Sequence, residues 1–230
     1  MHSLSSDKVE IFRWHYFVIN QTILFTWVVM AVMTLGAWLI TRKMKKKDHT
    51  RRWQHFFEVI ILGVQKQIEE MVENSRLYVP FIATLFLFIA SANFLTIIPG
   101  YRAPTASLST TVALAIIVFV AVPIYGIRQQ GFISYLKQYV KPSFFMLPFN
   151  IIGELSRTLA LAVRLFGNMM SGEKIIAILL SIAPLFLPVV MQALGLLTGF
   201  IQAYIFAILA MVYIASATRS HQTHIKGENT

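Results

Sequence analysis

Residues 157–175 read RTLALAVRLFGNMMSGEKI. The stretch is apolar and helix-forming, yet it holds Arg157, Arg164, Glu173 and Lys174, with Glu154 and Ser156 just upstream. A charge near the centre of a bilayer costs several kcal/mol (about 2.5–3.5 on insertion scales), so such residues face protein or water and mark ion paths or buried pairs. Arginine cannot escape by losing its proton. Arg164 therefore needs an anion or water beside it. The other apolar stretches of the chain contain no Asp or Glu, which leaves Glu154 and Glu173 on Arg164's own helix. Its counter-charge is expected on another subunit.

Helical geometry sorts these residues. At 100° per residue, Arg157, Asn168 and Ser171 fall within about 40° of Arg164, with Ala160 and Gly167 flanking it. That face is polar and built of small side chains, which permit close approach of a neighbouring helix. Glu173 lies about 180° round and about 13 Å along the axis. Two polar surfaces, back to back and at different depths, suggest two separate water-accessible regions divided by a fixed cation. Gln202, in the last apolar stretch, has no local partner in the sequence and is expected to hydrogen-bond across to the arginine helix.

Each residue has a plainer reading. Arg164 could snorkel, although it stands about fifteen residues from either end of its helix. Glu173 and Lys174 could form an interfacial pair. Arg157 could be a structural or interfacial charge, Glu154 its i,i+3 partner, and Gln202 a structural contact between helices. The six histidines (2, 15, 49, 55, 221 and 224) have no metal-ligand company, and no nucleophile elbow, phosphate loop or zinc pattern is present. The sequence offers no catalytic set, no metal site and no cofactor.

The elements that must hold these residues are membrane helices. The 230 residues are 57% hydrophobic and 13% charged, with mean hydropathy +0.65, against roughly 45–50% and 25% in soluble domains. Net charge is +10, but the basic residues cluster between apolar runs, as the positive-inside rule describes, so nucleic acid is not expected as a partner. There is no cysteine, hence no disulfide or thiolate chemistry. The N-terminus lacks the layout of a signal peptide.

The fold expected is an all-α polytopic membrane domain over 1–230. Spans are predicted at 17–40, 80–99 and 109–127, followed by a long, strongly tilted hairpin, 149–180 and 189–217, and an amphipathic interfacial helix at 53–78. The fourth span is about 45 Å long against a hydrocarbon core of about 30 Å, hence the tilt. Pro123 should kink the third. Residues 41–52 carry seven Lys or Arg; with Arg128, Lys137, Lys141, Arg219 and Lys226 they define one basic side. That asymmetry predicts an external N-terminus and a cytoplasmic C-terminus. No internal repeat is visible, which disfavours an inverted-repeat transporter.

At ELSRTLALAVRLFGNMMSGE, residues 154–173, the chain resembles subunit a of the membrane sector of F-type ATP synthases. RLFGNM at 164–169, followed by Gly172-Glu173, is similar to that family's signature around its essential stator arginine. GELSR at 153–157, PFIATLFLFIASANFLTIIPG at 80–100 and GFIQAYIFAILAMVYIA at 199–215 resemble the family's other spans. The resemblance covers most of 56–216. It implies a non-catalytic subunit with two offset half-channels that carry H+ or Na+ to the carboxylates of a rotating c-subunit ring. It implies b subunits of a peripheral stalk and the remaining F0F1 subunits as partners, and a bacterial inner membrane as the location. Arg164, with Asn168 and Ser171, would face the ring. Glu173 and Gln202 would serve the external half-channel, and Glu154, Ser156 and Arg157 the cytoplasmic one or its support. The chain departs from the pattern at Gly195, where many members carry a His or an acid. The competing class is a stand-alone ion channel or carrier, which would need a complete ion site within its own spans.

Overall fold

The computed structural model describes residues 10–14, 17–44, 63, 77–98, 100–140, 145–183 and 186–219. The described chain is helical: α1 Gln21–Met44, α2 Val79–Phe94, α3 Leu108–Gln130, α4 Phe132–Val140, α5 Met146–Ile182 and α6 Leu187–Arg219. A short antiparallel hairpin precedes them, β1 Glu10–Trp14 paired with β2 Phe17–Asn20. Residues 17–20, expected to open the first span, are therefore strand, and α1 begins at Gln21 and continues to Met44. The amphipathic helix expected at 53–78 falls almost wholly outside the described residues.

Among the described residues, four helical segments are long and apolar enough to cross a membrane: Val79–Ile97, Leu108–Gln130, Leu147–Ile182 and Leu187–Thr218. The apolar helical stretch of α1, Thr22–Trp38, is shorter. Pro123 lies inside α3 as expected; it removes one ladder hydrogen bond and is a kink site. α5 has 37 residues, about 55 Å of helix, so it exceeds the thickness of a hydrocarbon core by a wide margin.

The core follows helical spacing. Ile82, Leu85, Phe86 and Ile89 of α2 meet Leu114, Ala115, Val118 and Val122 of α3 and Ala203, Phe206, Ala207, Ala210 and Ile214 of α6. Lipid is as apolar as leucine, so these helices associate through close packing and not by expelling water. The alanines of α6 allow that approach. α5 contributes less: Leu161, Ala162 and Leu165 are buried, and within its apolar 18-residue stretch only 6% of the residues are buried, against 33–39% in those of the other three.

Two polar ties fix the ends of this bundle. At one end the Gln130 amide donates to the carbonyls of Ala217 (2.9 Å) and Thr218 (3.1 Å), satisfying acceptors that the last turn of a helix leaves open. Tyr78 donates to Gln129 beside it. At the other end, buried Asn93 of α2 donates to the Gly199 carbonyl (2.8 Å) and accepts from Thr105 (3.2 Å). A Cβ at 199 would sit 3.0 Å from the Asn93 amide, so glycine is what lets α6 come this close. Thr105 is itself fully buried, and the segment 98–107 between α2 and α3 is thereby held down upon the bundle.

Asn93→Leu should lower the stability of the assembled protein by about 1–3 kcal/mol, the usual cost of stranding buried polar groups. A fall in the thermal inactivation midpoint of the purified complex would show it; an unchanged midpoint would remove Asn93 from this role.

Candidate functional site

The segment 98–107 is shaped by its first turn. Gly100 has φ 86°, and the Tyr101 N–H donates to the Ile98 carbonyl (3.1 Å). Glycine takes a positive φ without the clash that a Cβ would bring. The turn brings Tyr101 and Arg102 toward α5. A cleft of about 950 Å³ opens there between this segment, α5 and the first half of α6.

The cleft's polar lining comes from all three sides. α5 supplies Asn168, Ser171, Glu173 and Lys174, the segment supplies Tyr101 and Arg102, and α6 supplies Gln192 and Thr198. Glu173 accepts the backbone N–H of Ala103 and lies within electrostatic reach of Arg102. Gly195 also lines the cleft, and a Cβ there would meet nothing within 4 Å. The Gln192 amide donates to the Thr96 carbonyl, and the Thr198 hydroxyl to the carbonyls of Leu194 and Gly195, each at 3.0 Å. Burial raises the Tyr101 hydroxyl well above its ordinary pKa, and the nearby Glu173 adds to this, so the phenol is neutral at any working pH.

Arg164 lines neither this cleft nor the smaller cavity described next. It is exposed, together with Arg157, Ala160, Gly167 and Ser171, along one stripe of α5. Among the described residues it has no hydrogen-bond or ion-pair partner. The stripe expected from 100° spacing is present, with one difference: Asn168 and Ser171, grouped with Arg164 on the sequence, also border the Glu173 cleft. The cleft wraps round α5 toward the arginine and does not stay on the opposite face.

Toward the end of the bundle nearer Gln130, Glu154 and Arg157 line a 20 Å³ cavity with Thr158, Val118, Tyr213 and Ser216. That is room for about one water molecule. The Arg157 guanidinium lies 5.8 Å from the centre of the Tyr213 ring, within the range of a cation–π contact. Ser156 is exposed and does not line the cavity. Gln202 is buried in α6, away from the Glu173 cleft, and its Nε2 has no hydrogen-bond partner among the described residues. The bond expected from it to the arginine helix is not made. Tyr101, Arg102, Asn93 and Gln192 were not singled out on the sequence as site residues. The signal available was an arginine directly after a Pro-Gly turn.

The ATP synthase A chain family model matches residues 23–215. The chain belongs to the ATP synthase A chain family. It is 56% identical over 223 residues to ATP synthase subunit a 2 of Acaryochloris marina, covering 96% of this chain and 95% of that one. It is 58% identical over 221 residues to ATP synthase subunit a 1 of Prosthecochloris aestuarii, covering 96% and 99%. It is 53% identical over all 230 residues to ATP synthase subunit a of Nitrosospira multiformis, covering 89% of that protein. A family member of this kind is an integral membrane component of the ATP synthase complex, and its long apolar helices fit that setting.

This chain has no cysteine, so single cysteines can report on the cleft. Cysteine at Gly195 or Thr198 should react with a membrane-impermeant thiol reagent added from one side of the membrane, and cysteine at Ala207, 3% exposed, should not. Equal labelling at all three would mean the cleft is not a water-filled path.

Proposed function

We propose that this chain is the ion-translocating stator subunit of an F-type ATP synthase, with Arg164 as the charge that meets each carboxylate of a rotating c-subunit ring. The observation that carries this is the uncovered face of α5. A 37-residue helix leaves its arginine stripe bare within the chain, and a bare guanidinium in a bilayer needs an anion. A ring carrying one carboxylate per subunit at mid-membrane supplies it. Small residues at Ala160 and Gly167 let the ring approach.

The cleft around Glu173 is the external half-channel in this reading. The region of Glu154, Arg157 and Tyr213 belongs to the cytoplasmic one or to its support. An H+ or Na+ enters through the cleft and neutralises a ring carboxylate. The neutral site can rotate into lipid, whereas a bare carboxylate cannot, because desolvating it costs too much. After nearly a full turn the ion leaves on the cytoplasmic side. The carboxylate then passes Arg164 in a contact hydrated enough to break again. The fixed charge of Arg164 also repels a cation that would leak straight between the half-channels. The membrane potential supplies about 2.3 kcal/mol per charge per 100 mV.

The chain has five spans in this arrangement, α1 among them, and α5 and α6 tilt strongly to fit the bilayer. The N-terminus is external, the C-terminus cytoplasmic, and the membrane a bacterial inner membrane. The b subunits of the peripheral stalk and the other F0F1 subunits complete the complex. The subunit makes and breaks no covalent bond and needs no cofactor beyond the transported ion.

Arg164→Ala should abolish ATP-driven ion pumping in proteoliposomes while the soluble ATPase activity persists; pumping at the parent rate would refute the assignment. Arg164→Lys should fail almost as completely, since lysine is a compact point charge that loses its proton readily when buried. Glu173→Gln should slow transport several-fold and leave coupling intact. A rate equal to the parent's would make Glu173 structural.

A further inference from the structure

The external cleft holds many polar groups, but most of the neutral ones already have their hydrogens engaged and are not free to pass a proton on. Arg102 and Lys174 are cations themselves and neither ligate one nor accept a proton. The Thr198 hydroxyl hydrogen is engaged by helix carbonyls, that of Ser171 by the Asn168 carbonyl (3.1 Å), that of Thr96 by the Asn93 carbonyl (2.6 Å), and the Gln192 amide is given to Thr96. Asn168 lies five residues from Glu173, about 7.5 Å further along the helix toward Arg164. On the other wall, Gly195 presents no side chain at all.

The Tyr101 hydroxyl is different. It is buried and has no hydrogen-bond partner among the described residues, although buried tyrosine hydroxyls usually find one. Its ring is fixed edge-on to Phe25, with centroids 4.8 Å apart. It borders the cleft that Glu173 borders, within electrostatic reach of that carboxylate. The Tyr101 to Ile98 backbone bond and the Asn93–Thr105 tie hold the segment in place.

We propose that the Tyr101 hydroxyl is the second oxygen of the external ion path, passing the transported cation to and from Glu173 across the space that Gly195 leaves open. This rests on the reading of the cleft as the external half-channel. For H+, the phenol gives its proton through water to the Glu173 carboxylate and takes one from the outer water in the same step, so the hydroxyl is restored and no charge is left on it. For Na+, the same oxygen is a ligand beside the carboxylate.

The test is Tyr101→Phe in the intact ATP synthase reconstituted into liposomes, with ATP-driven H+ and Na+ uptake both measured. The ring and its contact with Phe25 are kept, and only the hydroxyl is lost. Transport of the coupling ion should fall about fivefold or more, the worth of one hydrogen-bonding group, with the complex assembled. Adding Gly195→His, which places an imidazole on the open wall, should recover most of the loss. Transport at the parent rate overturns the proposal. So does a loss that Gly195→His does not lift, or a loss of assembled complex, since either would make Tyr101 a packing residue. Arg164→Ala in the same series separates the two levels. If it still pumps, the stator reading fails; if it is dead while Tyr101→Phe is normal, only the role of Tyr101 fails.

Discussion

A guanidinium in mid-membrane keeps its charge at any pH the cell can reach, and everything else in this chain is arranged around that. An arginine that found its anion inside the same subunit would be a static pair. Such a pair is strongly held once desolvated, and breaking it would leave two unpaired charges. Here Arg164 has no partner among the described residues, and few residues in the apolar stretch of its helix are buried by its own chain. The remaining helices form a packed block that presents this one helix outward.

The block is stiff where the site needs it to be. Asn93 bonds at once to α6 and to the segment that carries Tyr101 and Arg102. Gln130 closes the far end by capping α6. Between these ties the helices meet through alanines and branched residues at helical spacing. The long hairpin of α5 and α6 therefore hangs on a fixed frame. Polar groups gather at two depths, around Glu173 and around Glu154, and the arginine stripe runs between them. In the proposed mechanism, two wet regions separated by a fixed positive charge would let an ion reach the stripe from either side without a continuous path between the sides.

Much of this was legible in the sequence, for a physical reason. Membrane helices are set by length and hydropathy, and polar residues within them are too costly to be incidental. Hence the helices and the stripe of Arg157, Arg164 and Ser171 could be read from spacing alone. What could not be read was the segment 98–107. Its nine-letter YRAPTASLS looks like an exposed connector. Its burial depends on Asn93 and Gly199, the latter more than a hundred residues from Asn93 in sequence, and no local pattern encodes a tie of that range. Gln202 failed in the opposite way. It is buried in α6, yet its Nε2 finds no partner among the described residues, so the bond to the arginine helix is not made. The strand at Phe17–Asn20 escaped because an apolar run of that length reads equally well as helix.

The claim at the centre is that the anion of Arg164 belongs to a neighbour. Solid-state NMR on the intact complex can measure this directly, with 15N-arginine in this subunit and 13C-carboxyl acidic residues in the ring subunits. The expected result is a through-space coupling between the Arg164 guanidinium nitrogens and a ring carboxyl carbon, lost on Arg164→Ala. A guanidinium coupled instead to Glu154 or Glu173, seen when the carboxyl label is moved to this subunit, would contradict it.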